Sequence, residues 1–510
     1  VAAEDELTRL IERLESLGDH RQQLDALDEE TRLRLLRAAG AIARPSREAL
    51  KDASRARRRA RRDGRRTHDA TLLGKTGMRA SLRERIYAAP PEETESDAPR
   101  ERLTEPRACY VCKADFVELH AFYDSLCPEC ARLNYARRFP RGDLSGRIAL
   151  VTGARVKIGF QTAVVLLRQG ARVLVTTRFP RDAAQRFAAL PDFAGFADRL
   201  SVYGLDLRHI PSVELFAAHL STRHPHLDIL INNAAQTVRR PAGFYAHLLP
   251  LETQPVESLP AWRSVLADHV ALAASIMGDE PGVLAADRGL LRFEGARRAV
   301  GLTDSAALSQ LTTADELAEV AMVGDRREAE RLFPRGQLDV DLQQVDLRPH
   351  NSWRMTAPEV STGELLEVHL VNAVAPFVLC ARLRPLLERS PHDARFIVNV
   401  SAMEAQFSRR KKTDKHPHTN MAKAALNMLT RTSAADYAEA RIYMNSVDTG
   451  WVTDEDPLHH VVRKQEEHRF HPPLDVVDGA ARIVDPIFSS LDDQAPPFGL
   501  FFKDYRVVPW

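Results

Sequence analysis

Neither sign of charge is in excess in this sequence: its 510 residues set Lys+Arg 71 against Asp+Glu 70. A net charge near zero supplies no molecule-wide field, so nucleic acid or an anionic membrane would have to be held by a local patch. Long apolar runs are missing as well. None reaches the roughly 18–20 residues that span a bilayer, yet 44% of residues are apolar, enough to bury a large core in two or three domains. Cysteine is scarce, five in all, and four fall into a paired spacing that leaves only Cys380 over. That is not the pattern of a disulfide scaffold, and it fits a reducing compartment. The first residues, VAAEDELTRLIERLESL, are acidic and amphipathic rather than signal-like. A soluble cytoplasmic protein is the expectation.

What is present begins with apolar residues at helical spacing (Leu7, Leu10, Ile11, Leu14, then Leu33, Leu35, Leu36) among many charges, which predicts two or three solvated helices. Ser54 to Arg66 reads SRARRRARRDGRR. Without interleaved aromatics it reads as a solvated, partly disordered arm, and any contact with nucleic acid rests on Arg55–Arg66 alone. PPEETESDAPRERLTEP, up to Pro106, has linker composition. Residues 1–105 are therefore read as a helical, Arg-rich region and linker.

Cys109 and Cys112, then fourteen residues, then Cys127 and Cys130 form two CxxC knuckles. Four thiolates within reach of one ion favour zinc, and a fully ligated ion leaves no open position, so the site should be structural. The motif resembles a zinc ribbon or treble-clef knuckle, placed at 106–140. His120 between the knuckles is an alternative ligand.

From 141 to 510 strands and helices alternate, which predicts a Rossmann-type, doubly wound parallel α/β sheet. Strands are expected at Ile148–Val151, Val173–Thr176, Leu200–Tyr203, Ile229–Ile231, Phe396–Val400, Tyr443–Val447 and Leu500–Phe502. In GRIALVTGARVKIG the first strand turns tightly at Gly153 into a helix, whose unpaired N–H groups and dipole attract a pyrophosphate.

With Thr152-Gly153 to Gly159, Asp206-Leu207, Asn232-Asn233-Ala234-Ala235, Asn372, Ser401, Lys423 and Thr449-Gly450 in this order, the segment from about 145 onward resembles the short-chain dehydrogenase/reductase superfamily. The resemblance implies a nicotinamide coenzyme held by Gly153, Arg155, Lys157, Ile158, Gly159, Arg178, Asp206, Leu207, Asn233, Ala234, Lys423 and Gly450. Asp206 would meet the adenine amino group, and Asn233 with Ala234 would border the ribose. Thr177 stands where an acid would bind the ribose hydroxyls of NAD. Arg178 follows it, and with Arg155 would bracket a 2′-phosphate, which favours NADP(H) over NAD(H). By the same resemblance Lys423 and Asn372 are two members of the catalytic set, and the helix after Lys423 pairs subunits into a dimer.

The sequence departs from that pattern in several places. Lys157 replaces the middle glycine of the turn, Thr419 holds the tyrosine position, Ala402 the serine position, and Thr449 stands for proline. A threonine hydroxyl is too weak an acid to replace tyrosine unaided, so His416, His418, Ser401 and Tyr245 are candidates to complete the site. Between Ala235 and Asn372 lie 136 residues, an insertion at about 238–362 expected to form a lid or subdomain. Helical patterns are expected there at Trp262–Met277 and at Thr313–Leu332, the latter opened by a capping box at Thr313–Glu316. Two functions follow: an NADP(H)-dependent oxidoreductase of unknown small-molecule substrate, or a protein that keeps the coenzyme pocket without turnover and acts through the knuckle, the insertion or the arginine arm.

Overall fold

Eight strands form one sheet in the order β10-β9-β8-β7-β6-β3-β4-β5. They are β3 (Ile148–Thr152), β4 (Arg172–Thr177), β5 (Leu200–Gly204), β6 (Ile229–Asn232), β7 (Arg395–Ser401), β8 (Ile442–Asp448), β9 (Phe501–Lys503) and β10 (Arg506–Val508). All pairings are parallel except the closing β9–β10 hairpin. The computed structural model describes residues 2–81, 101–277 and 331–510, apart from 335, 340, 410, 411, 454, 469, 470 and 494. The Thr313–Glu316 capping box and most of its helix lie outside the described residues.

The strands are near-continuous apolar runs because helices cover both faces. One face carries Val151, Val175, Val202 and Ile231 against α6 (Lys157–Arg168), α7 (Pro180–Ala188) and α14 (Val476–Phe488). The other carries Leu150, Leu174, Leu230 and Ile397 against α8 (Ile210–Arg223), α11 (Thr362–Glu388) and α12 (Pro417–Glu439). The chain runs β3-β4-β5 outward and then returns to place β6 on the other side of β3. Strand order reverses between β3 and β6, which opens a crevice at their carboxyl ends. α11 is long and apolar enough to cross a membrane, contrary to the expectation that no stretch is, but 56% of its apolar window is buried.

The chain divides into two compact units, Val1–Leu72 and Leu73–Trp510. The first holds α1 (Ala2–Asp19), α2 (Glu29–Ala43) and most of α3 (Arg47–Gly74). Ser54–Arg66 is continuous helix, not a disordered arm. Arg and Ala favour helix, and Arg59 lies 3.8 Å from Asp63 at i,i+4, so the like charge is carried on a solvated helical surface. The second unit begins upstream of the boundary near residue 105: in α4 (Gly77–Ser81), Gly77 and Met78 donate N–H bonds to Ala121 and Phe122 carbonyls.

Within the second unit β1 (Arg102–Ala108) and β2 (Asp115–Glu118) form an antiparallel hairpin, followed by α5 (Pro128–Arg137). The insertion begins with α9 (Leu249–Glu252) and a 3-10 turn leading into α10 (Ala267–Met277), as the pattern at Trp262–Met277 predicts. After β8 comes α13 (Leu458–His468).

Candidate active site

Backbone packs on backbone where β3 turns into α6. Gly153 has φ +68°, and a Cβ there would lie 2.8 Å from Ala234 Cα; one on Gly159 would lie 2.3 Å from Asn233 Nδ2 and 2.4 Å from the Gly153 oxygen. Neither position admits a side chain. Lys157 takes the middle-glycine position with φ +56°, a left-handed conformation that costs a non-glycine residue about 1 kcal/mol. Asn233 Nδ2 donates to the oxygens of Thr152 (2.9 Å) and Gly153 (3.2 Å), and Thr152 Oγ1 accepts from the Asn233 and Ala234 N–H groups. Asn233 is thus a staple between the two turns through its Nδ2, while the residue also lines the cleft.

The crevice is a cleft of about 1080 Å³, lined by Gly153, Ile158, Arg178, Asp206, Leu207 and Ala234 among others, and roofed by Asp341, Gln343 and Asp346 of the insertion and by Thr453, Glu455 and Asp456 after β8. The roof is tied down by charge. Lys157 Nζ donates to Glu455 Oε1 at 3.1 Å, Arg240 pairs with Asp346, and Arg348 donates to the same carboxylate at 2.7 Å. Arg155 donates to Asp182 (2.7 Å) and to Gln343 Oε1 (2.5 Å). The Lys157 ammonium holds Glu455 down at about 2 against the cost of burial; in return, Glu455, Asp341 and Asp339 outweigh burial and raise Lys157.

Arg155 is therefore committed to Asp182 and the roof instead of bracketing a phosphate with Arg178. Arg178 donates to Tyr245 Oη at 2.6 Å and lies 4.6 Å from that ring. Tyr245 accordingly sits beside the end of β4, three strands from β7, and does not complete the reactive end. Asp206 is gripped by Arg208 through Nε and Nη2 (2.6–3.1 Å), which with burial opposed leaves its carboxyl lowered.

The remaining candidates gather on β7, α11 and α12. Lys423 Nζ donates to the Val400 oxygen at 2.6 Å, and burial alone lowers its pKa to about 8. Ser401 Oγ is buried without a hydrogen-bond partner. Asn372 lies in a π turn, Leu370–Val374, and its Oδ1 accepts from the Gln236 N–H at 2.7 Å, fastening α11 to the turn after β6. Thr419 Oγ1 donates to the His416 oxygen at 2.8 Å and lies 3.2 Å from His416 Nδ1. His416 caps α12 in a left-handed conformation (φ 40°), buried and stacked 4.0 Å from Trp353 of the insertion, so it is not on an exposed loop. Burial lowers its pKa. His418 is buried 3.4 Å from Glu364.

A short chain dehydrogenase family model matches residues 147–247, and an enoyl-(acyl carrier protein) reductase model matches 325–469. The chain belongs to the short-chain dehydrogenase/reductase superfamily. Uncharacterized protein R665 of Acanthamoeba polyphaga mimivirus is 29% identical over 405 residues, 76% of this chain and 72% of that protein. Human dehydrogenase/reductase SDR family member 13 is 40% identical over 93 residues, 18% of this chain and 24% of its own length; mouse retinol dehydrogenase 14 is 38% identical over 104 residues, 18% and 30%. The match therefore spans about a quarter to a third of these dehydrogenases. Among solved structures, NADPH-bound carbonyl reductase from chicken fatty liver is 18% identical with a TM-score of 0.40, covering 72% of this chain and all of that one.

Two features stand beside this sheet, the ionic roof and the knuckle. The roof residues Gln343, Asp346 and Glu455 were not legible as site residues, although the alternating acids in LDVDLQQVDL are the signal that could have marked them. In the knuckle the sulfur atoms of Cys109, Cys112, Cys127 and Cys130 lie within 4.8 Å of one another, and Cys112 Sγ is 3.7 Å from Cys127 Sγ. A tetrahedron with Zn–S of about 2.3 Å has edges of about 3.8 Å. Burial opposes ionisation of Cys109, but the N–H groups of Cys127, Cys112 and Val111 outweigh it and bring the thiol to about 7. These residues fit a tetrahedral ion. His120 Nδ1 instead accepts from the Phe122 N–H at 3.0 Å, outside that sulfur set.

Proposed function

We propose that this protein is an NADP(H)-dependent oxidoreductase with an atypical reactive end and a structural zinc ion in its four-cysteine knuckle. The observation that carries the reading is the conjunction of the β3/β6 crevice, closed to side chains at Gly153 and Gly159, with a buried Lys423 lowered to about 8 at the carboxyl end of β7. The glycine turn, Ile158 and Ala234 would hold the coenzyme's pyrophosphate and adenosine. Lys157 would neutralise the phosphates, and Arg178, with no acid at Thr177, would favour a 2′-phosphate. Gly450 and Lys423 would hold the nicotinamide end. When bound, the coenzyme supplies or accepts a hydride. Ser401, whose buried hydroxyl lacks a partner, would hold a substrate oxygen, and His416, whose Nδ1 lies 3.2 Å from Thr419 Oγ1, would relay a proton. Leu366, Val374 and Phe377 on α11 and Met421 and Met428 on α12 are exposed apolar side chains, which supports a homodimer through these helices.

One observation favours coenzyme binding without turnover: the Thr419 hydroxyl is spent on its own helix start, the His416 oxygen. A panel of carbonyl substrates with NADPH separates the two. Oxidation of NADPH that is lost in both Lys423→Ala and His416→Ala supports the enzyme; NADPH binding with no oxidation across the panel supports the second reading.

A further inference from the structure

The four-cysteine knuckle abuts the loop after β8. The module as a body is docked on the start of α14, where Arg138 donates to Asp475 (2.8 Å), Tyr123 Oη donates to Asp478 (2.5 Å) and Arg482 donates to Asn134 of α5 (2.5 Å), all buried. The loop Cys109–Lys113 lies outside that docking. It is shaped by the knuckle itself: Lys113, at φ 66°, donates its N–H to the Cys109 oxygen, and the Cys127 N–H donates to Cys109 Sγ at 3.3 Å.

Tyr110, the residue after the first cysteine, points out of the knuckle, and its hydroxyl oxygen accepts the Trp451 N–H at 2.9 Å. A Cβ on neighbouring Gly450 would lie 2.5 Å from Leu474 and 3.4 Å from Tyr110 Oη, so the loop after β8 is wedged between the two. The connection continues in single steps. Trp451 Nε1 donates to the Thr453 oxygen (3.1 Å), Thr453 Oγ1 donates to Glu455 (2.8 Å), and Glu455 receives Lys157 in the glycine turn (3.1 Å).

We infer that Tyr110 is a positioning residue through which the metal-ordered knuckle sets Gly450, Trp451, Thr453 and Glu455, and with them the roof contact on Lys157, so that zinc occupancy and coenzyme affinity are coupled. With the four thiols held by one ion the Tyr110 ring has one place; without it the loop Cys109–Lys113 loses its cross-link while α5 stays docked, and the Trp451 amide loses its acceptor. The inference rests on the coenzyme reading only for its second readout.

The test uses the full zinc-loaded chain, the same protein stripped by a chelator, and Tyr110→Phe, with two measurements: hydrogen exchange of the Trp451 amide and titration with NADPH. The expected result is exchange about 10-fold faster in both altered forms, and NADPH affinity weakened about 3- to 10-fold in Tyr110→Phe at full zinc content, one hydrogen bond's worth. Added zinc should restore the stripped protein. Unchanged Trp451 exchange in Tyr110→Phe overturns the coupling, as does faster exchange with unaltered NADPH affinity. If the zinc-loaded wild type binds no NADPH, the coenzyme reading falls while exchange still decides whether the knuckle holds the loop. Should stripping unfold the module, Tyr110→Phe decides alone.

Discussion

Lys423 shows how a buried charge sets its own terms of stability. Its ammonium is buried and lowered to about 8, whereas an unfolded lysine titrates near 10.4. Between those values the unfolded chain binds a proton that the folded chain does not, so stability rises with pH across that window. Lys423→Met should be more stable than wild type at pH 7 by about 1–3 kcal/mol and should lose the difference above about pH 10, while NADPH oxidation is abolished; denaturant melts across pH check it. Glu455 behaves in the opposite sense. The Lys157 ammonium depresses it to about 2, so its contribution is complete above about pH 4.5 and is lost as pH falls toward 2. Glu455→Gln should lower stability at pH 7 by about 1–3 kcal/mol and, by releasing the roof contact on Lys157, weaken NADPH several-fold in a fluorescence titration.

At the scale of elements, the β3–α6 turn is the least tolerant part of the fold. Gly159→Ala drives a methyl group to within 2.4 Å of the Gly153 oxygen. It should cost about 3 kcal/mol and remove coenzyme binding together, measured by melting and titration on the same sample. The strands from β3 to β9 were legible because buried parallel strands are β-branched runs bounded by turn residues, as at Ile148–Val151. β1 and β2 were not, because charged residues interrupt them, as in RLTEPRA and DFVE, and β10 has only the three residues RVV. The turn from Gly153 to Gly159 was legible because strand, turn and helix follow one another directly in the chain. The roof was not: Lys157 and Glu455 are 298 residues apart, and nothing local to either predicts the other. The same distance hid the engagement of Arg155 by Gln343 and the stacking of Trp353 on His416, both contributed by the insertion.

Taken as a whole, the second unit is a short-chain dehydrogenase/reductase sheet with an ionic roof over its crevice and a knuckle fastened behind the loop after β8. The exposed apolar side chains of α11 and α12 form a face that a second copy would cover, and Phe377→Glu with Met428→Glu should convert a dimer into a monomer in light scattering without disturbing the crevice. The claim on which the rest depends is that the crevice between β3 and β6 holds a phosphorylated nicotinamide coenzyme. Calorimetric titration of the zinc-loaded chain tests it most directly. The account predicts saturable heat with NADPH and an affinity for NADH at least about 10-fold weaker, a charge-assisted contact at Arg178 being worth that factor. No heat with either coenzyme would contradict it.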